Sequence, residues 1–192
     1  MRTIEPEMVM WLDGKLSQNS LAIEAIQKRD VRLLITLAAQ CCVGIKEHGG
    51  NNSGPLVELI QKTVGGAVKE PWCMSFVQTC IAYAEAKTML RSPFWTSEHV
   101  LTCWENTNHL LRVKRIPLAG AIAIWRHDGT SNGHCGVVES CDGEIFYCYE
   151  GNTESGLNKQ NKVVRDGGGV YRTMRSVDGQ GSMRLMGWIK PF

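Results

Sequence analysis

Glu70-Pro71-Trp72-Cys73-Met74-Ser75-Phe76-Val77 reads as a short loop running into a helix, with a cysteine in its first turn. Pro71 suits the first helical position, because the N–H it lacks would have no intrahelical partner there. Apolar residues then recur at Phe76, Val77, Cys80, Ile81 and Ala84, the spacing of one buried helical face. Cys73 therefore sits where unpaired backbone N–H groups and the positive end of the helix dipole meet. That environment favours thiolate over thiol. A cysteine so placed is a candidate nucleophile, and it requires a base elsewhere in the chain.

Upstream of this stretch the texture is helical. Asp30 is the expected N-cap of a helix whose stripe is Val31, Leu34, Ile35, Ala38, Cys42 and Ile45. Ser53 or Gly54 followed by Pro55 opens another, with Leu56, Leu59, Ile60 and Thr63 on its buried face and Gly65-Gly66 at its end. Residues 1–29 read as a helical extension: Ile4, Met8, Trp11 and Leu12 share a face, Asp13-Gly14 interrupts it, and Leu16, Ile23 and Ile26 continue. Such an extension packs on the main body or serves as a docking element. After an irregular loop over 87–98, Thr96 or Ser97 is expected to cap a short helix through Cys103 and Trp104. Beyond Pro117 the pattern changes to short strands: 121–125, 134–140, 144–150, 169–175 and 184–189, separated by Gly-containing turns. Cys141-Asp142-Gly143-Glu144 is a strong hairpin signal. Helices first and an antiparallel meander second predict an α+β fold, with the helices covering one face of the sheet. The expected organisation is an extension over 1–29 and a catalytic domain over 30–192.

Composition narrows the class. With 192 residues, 43% hydrophobic and 21% charged, the chain has the make-up of a globular domain able to bury a substantial core. A net charge of +2 gives no case for nucleic acid as a partner. No apolar run approaches the length of a membrane span, and the N-terminal residues lack the apolar run of a secretory signal. The eight cysteines fall mostly inside apolar periodic segments and form no C-x-x-C pair. They read as reduced, buried small hydrophobes rather than as disulfides or zinc ligands.

Of five histidines, His48 and His109 lie in polar surroundings and read as solvated. His99 falls in the short helix, and His127 ends a strand at the Asp128-Gly129 turn. His134 differs. It opens an apolar strand in Gly133-His134-Cys135-Gly136-Val137-Val138, where flanking glycines leave room for close approach. With the hairpin turn at Asp142-Gly143, Cys141 falls near Glu144 and His134 falls beside Tyr149 to Asn152. Glu150 can then accept a hydrogen bond from one imidazole nitrogen and leave the other for Cys73.

Three motifs carry a family resemblance: Pro71-Trp72-Cys73-Met74-Ser75-Phe76-Val77, Gly133-His134-Cys135-Gly136-Val137-Val138, and Glu150-Gly151-Asn152. The segment from Gly44 to Pro55 and the closing Gly187-Trp188-Ile189-Lys190-Pro191 add to it. The chain resembles a CHAP domain, the cysteine- and histidine-dependent amidohydrolase/peptidase family of the papain-like superfamily, over about residues 31–192. The resemblance implies a papain-like fold and a monomeric peptidoglycan hydrolase without cofactor. Cys73 would be the nucleophile and His134 the base. Glu150 would orient His134, Asn152 would add a polar group at the same end, and the Cys73 N–H would donate to the oxyanion. Some relatives hold calcium in an aspartate-rich loop. Here Glu47 to Gly54 carries one carboxylate, so no metal is expected. With no wall-binding repeat and no signal evident, the expectation is synthesis in the cytoplasm and later release to the cell wall. That fits a phage endolysin let out by a holin, or an antibacterial toxin delivered by a secretion machine. The alternatives are a non-catalytic wall-binding or phage structural module, and an amidase of small thiol conjugates or proteins. Lys159, Lys162, Arg165, Arg172 and Arg175 read as a solvated basic face that could meet an acidic polymer. Loops 87–98 and 153–162 are expected to set specificity.

Overall fold

The computed structural model describes residues 2–154, 168–178 and 183–192. Among them, helices come first: α1 (Pro6–Leu16), α2 (Ser20–Lys28), α3 (Val31–Cys41), α4 (Pro55–Lys62), α5 (Cys73–Thr88) and α6 (Val100–Asn106). Strands follow: β1 (Arg112–Val113), β2 (Ile122–His127), β3 (Gly133–Asp142), β4 (Ile145–Thr153), β5 (Gly169–Ser176) and β6 (Met183–Ile189). They form one sheet in the order β1-β6-β2-β3-β4-β5, with every neighbouring pair antiparallel. This is the expected α+β arrangement. β2 to β5 form the meander, and β6 returns to the far side of β2.

Helix starts follow local chemistry. Asp30 caps α3 by accepting from the Leu33 N–H, and Pro55 follows the Gly54 cap of α4. At α5 the boundary differs from expectation. Trp72 is the capping residue and Cys73 the first helical one, so Pro71 stands just outside the helix. Its fixed φ shapes the approach rather than the first turn. The short helix α6 starts at Val100, with His99 as its cap and not Thr96 or Ser97. Helix α1 runs through Asp13-Gly14, because Asp13 is used as a tertiary acceptor for the Tyr83 hydroxyl (2.9 Å) and the Lys87 ammonium (2.6 Å). In α2 it is Ala22 and Ala25 that face inward, while Ile23 is exposed.

The larger correction concerns α5. Its apolar stripe predicts one buried face, yet every residue from Cys73 to Glu85 is buried, including Ser75, Gln78 and Thr79. A helix buried on all sides is the centre of a fold. α3, α4, β3 and β4 surround it. Phe76, Val77, Ile81, Leu34, Ile35, Ile124, Val137 and Tyr149 share this core, and Met8, Leu12 and Leu16 of α1 join it. Burial of each such side chain is worth about 1.5–3 kcal/mol. A smaller core lies apart from it, where Phe146 stacks on Trp125 at 6.0 Å and meets Trp188 edge-on at 5.6 Å.

The hairpin forms at the expected place with a shifted register. Its two-residue loop is Gly143-Glu144, with Gly143 at φ +61°, and Asp142 faces Ile145. Cys141 therefore lies opposite Phe146 and not beside Glu144. A shift between Val138 and Ser140 then puts Val137 opposite Tyr149, which carries His134 toward Asn152.

Candidate active site

The site lies where the N-terminus of α5 meets the start of β3 and the end of β4. Three local features set that approach. Gly151 lets α5 sit directly on β4: a Cβ there would lie 2.7 Å from Phe76 Cβ and 3.0 Å from the Trp72 ring. Trp72 donates its indole N–H to Glu47 Oε1 at 2.9 Å, fixing the residue before the cysteine. Glu47 is itself held because residues 44–47 add to the edge of β5, with Val170 N–H donating to the Ile45 carbonyl and Glu47 N–H to that of Gly168. Gln61 completes the frame by donating to the carbonyl of Glu70 at 2.7 Å.

His134 Nε2 lies 2.8 Å from Glu150 Oε2. An ionised carboxylate only accepts, so the ring carries its proton on Nε2 and leaves Nδ1 for Cys73. Gly136 makes room for the pairing, since a Cβ there would meet Glu150 Cγ at 2.6 Å. His134 and Glu150 are 1% and 0% exposed, whereas Cys73 reaches solvent at 7%. Cys73 is the member of the set that lines the cleft, with His134 and Glu150 buried behind it.

The electrostatics follow from these neighbours. The Cys73 thiol is held well below its usual range. A hydrogen bond from the Cys135 thiol contributes most, burial opposes it, and His134 and the Met74 N–H add to it. Burial pulls His134 down, but Cys73 and then Glu150 outweigh it and raise the imidazole to about 9. A thiolate–imidazolium pair is the resulting resting state. Burial alone would raise Glu150, but Arg175 and then His134 keep it far below the usual carboxylate range. Cys135 is pushed up by burial and by Cys73, so it remains a thiol and a donor.

Glu150 makes more contacts than the hairpin argument supplies. Oε1 accepts from the Cys148 thiol (2.8 Å), from Arg175 Nε (2.7 Å) and from the Thr173 hydroxyl; Oε2 accepts from His134 and from a terminal nitrogen of Arg175. Arg175 is buried, which corrects its reading as part of a solvated basic face. Arg172 does match that reading: half-exposed, it pairs with Glu139 and lies over the Tyr147 ring at 4.1 Å. Lys159, Lys162 and Arg165 lie outside the described residues. Only the period of β5 hints at Arg175, which shares a strand face with Thr173.

Cys73 opens into a cleft of about 420 Å³ walled by Glu70, Pro71, Glu98, His99, Asn132 and Asn152. Asn152 takes a left-handed conformation at φ +53°, and its Oδ1 is buried with no hydrogen-bond partner. The residue lines the cleft together with Cys73 and makes no hydrogen bond to His134. Loop 87–98 reaches the cleft through Glu98. The walls at 67–71 and 131–133 have no signal in the sequence beyond their turns. Of loop 153–162, the part from 155 lies outside the described residues.

A cysteine at the head of a central helix, facing a strand histidine oriented by a carboxylate in an α+β fold, defines the papain-like class. Within it, the CHAP domain family model matches residues 65–152 of the chain. The matched segment runs from the loop before α5 to Asn152 and includes Cys73, His134 and Glu150. No curated protein and no solved structure matches the chain. CHAP domains act as amidases or peptidases on peptidoglycan. No helix among the described residues is long and apolar enough to cross a membrane.

Proposed function

We propose that this protein hydrolyses an amide bond of the cell-wall peptide through Cys73, as a lytic enzyme of the endolysin kind. The observation that carries the reading is the buried His134–Glu150 pair behind Cys73, the one of the three that lines the cleft. In the forward step the Cys73 thiolate attacks the amide carbonyl carbon. The C–N bond breaks, and His134 gives its Nδ1 proton to the leaving amine. Water then attacks the thioester carbonyl as His134 takes its proton, which releases the carboxylic acid and restores the pair. The backbone N–H of Cys73, in the first helical turn, is a donor for the oxyanion. Asn152, which lines the cleft, is a polar contact for the substrate peptide.

Eight unpaired thiols fit a protein that folds in a reducing compartment and meets the wall after release. A toxin delivered by a secretion machine would share this chemistry. The deciding experiment incubates purified peptidoglycan with the parent and with Cys73→Ala and identifies the released fragments by mass spectrometry. New amine and carboxyl ends from the parent alone are expected. Equal release by Cys73→Ala sinks Cys73 as the nucleophile, and no release by either protein leaves a wall-binding module.

A further inference from the structure

Arg175 lies on β5, two strands from His134, and is not among the residues that line the cleft. Yet its planar fork grips both oxygens of Glu150, and its side chain is 6% exposed. The Trp125 ring, 5.6 Å from the guanidinium and 5.9 Å from the His134 ring, packs against both. Resting on the assignment of Cys73 and His134 as the catalytic pair, we propose that Arg175 is a positioning residue of this site: it keeps Glu150 ionised through the whole reaction cycle and so fixes which nitrogen of His134 faces Cys73.

The need for such a residue follows from charge accounting. Glu150 is fully buried, and a buried carboxylate without a cation takes up a proton. In the resting state the His134 imidazolium and Arg175 share that role, both bonded to Glu150. Once His134 has given its proton to the leaving amine, the imidazole is neutral, and it must stay neutral to activate water. During that interval Arg175 is the cation against Glu150. Were Glu150 to protonate then, its O–H would donate to His134 Nε2. The ring would shift its own proton to Nδ1, toward the sulfur, and lose its capacity as a base there. Arg175 cannot itself deprotonate, and its two parallel N–H groups match a carboxylate in a way an ammonium does not.

The test reads the pair without substrate. Iodoacetamide modification of Cys73, followed on its own peptide by mass spectrometry, is measured against pH in the parent, Arg175→Met and Arg175→Lys, with thermal unfolding of each. In Arg175→Met the acidic limb is expected to rise by about one pH unit or more, so that the rate at about pH 5 falls roughly tenfold while the alkaline plateau is kept. Arg175→Lys is expected to shift the same way by less. A folded Arg175→Met whose profile superimposes on the parent's overturns the proposal. Should Arg175→Met not fold, the same substitution in a Glu150→Gln background carries the test. There it should leave the profile of Glu150→Gln unchanged, and a further shift would mean that Arg175 acts by some route other than Glu150. A parent Cys73 no more reactive in acid than an ordinary thiol would fail the catalytic assignment itself, a result distinct from either of these.

Discussion

At the scale of single residues, two pH-dependent steps should separate. Cys73 is lowered and His134 raised to about 9, so the thiolate–imidazolium pair spans the neutral range. Peptidoglycan hydrolysis, followed by amine release, should rise through the lowered value of Cys73 and fall as pH climbs through about 9, where His134 loses the proton needed by the leaving amine. Alkylation of Cys73 should show only the first limb, because the thiolate survives above it. A hydrolysis profile still rising past that alkaline limb would exclude His134 as the acid. Stability follows a different rule. His134, with a raised value, adds stability that is complete below its unfolded value of 6.5 and lost as pH rises through about 9. Cys73, with a lowered value, adds stability that is complete above 9.0 and lost as pH falls through its folded value. Between 6.5 and 9.0 the native pair holds one proton on His134, the unfolded chain holds one on Cys73, and the pair makes stability flat with pH. Glu150 is depressed, so its contribution is present above 4.5 and drains away in acid. Denaturant midpoints should therefore be level between 6.5 and 9.0, fall below 6.5 as the unfolded His134 takes up a proton, and fall more steeply below 4.5, this last step being smaller in Glu150→Gln.

At the scale of elements, the site depends on how closely α5 approaches β4. Gly151 is the contact point, and its missing side chain is filled by Phe76 and Trp72. Gly151→Ala should lift the start of the helix by several tenths of an ångström. Overpacking of this kind costs typically 1–3 kcal/mol. Since Cys73 rides on the displaced turn, hydrolysis should fall more than stability does. Thermal unfolding beside kcat/KM checks this, and a loss confined to the melting temperature would place Gly151 in packing alone. Much of the element pattern was legible beforehand. Alternation and turn residues marked five strands, and Asp30, Gly54 and Pro55 marked helix starts. The register of the β3–β4 hairpin was not legible, because the shift near Glu139 answers to sheet twist and cross-strand packing. The full burial of α5 was equally hidden: Gln78 and Thr79 look like a polar face until Arg2 and Thr63 are placed against them.

At the scale of the molecule, the N-terminal segment is tied to the central helix α5. Arg2 donates to Gln78 Oε1 at 2.7 Å and to Glu85 Oε1 at 2.9 Å, and it also reaches the Phe94 carbonyl, all in buried surroundings. Glu85 keeps a second, longer contact to Arg91 at 3.7 Å. Arg2→Met should thus cost about 3 kcal/mol, toward the lower end for breaking a buried ion pair. Urea unfolding measures it, and a change under 0.5 kcal/mol, typical of exposed pairs, would show that Arg91 replaces Arg2. The Phe94 contact also links the N-terminus to the loop that leads to Glu98 and His99 at the cleft.

The sequence by itself determined the α+β class, the helix-borne Cys73, the strand-borne His134 and the neighbouring Glu150. These rest on periodicity, turn chemistry and a hairpin, all of which act over a few residues. It could not place Arg175, Thr173 and Cys148 around that carboxylate, nor show Glu47 holding Trp72. Those contacts join residues 2 to 25 positions apart whose meeting depends on strand order and side-chain reach. A buried carboxylate must find its cation wherever the folded sheet brings one. Here that cation stands on the strand after the hairpin, and only the tertiary structure selected it.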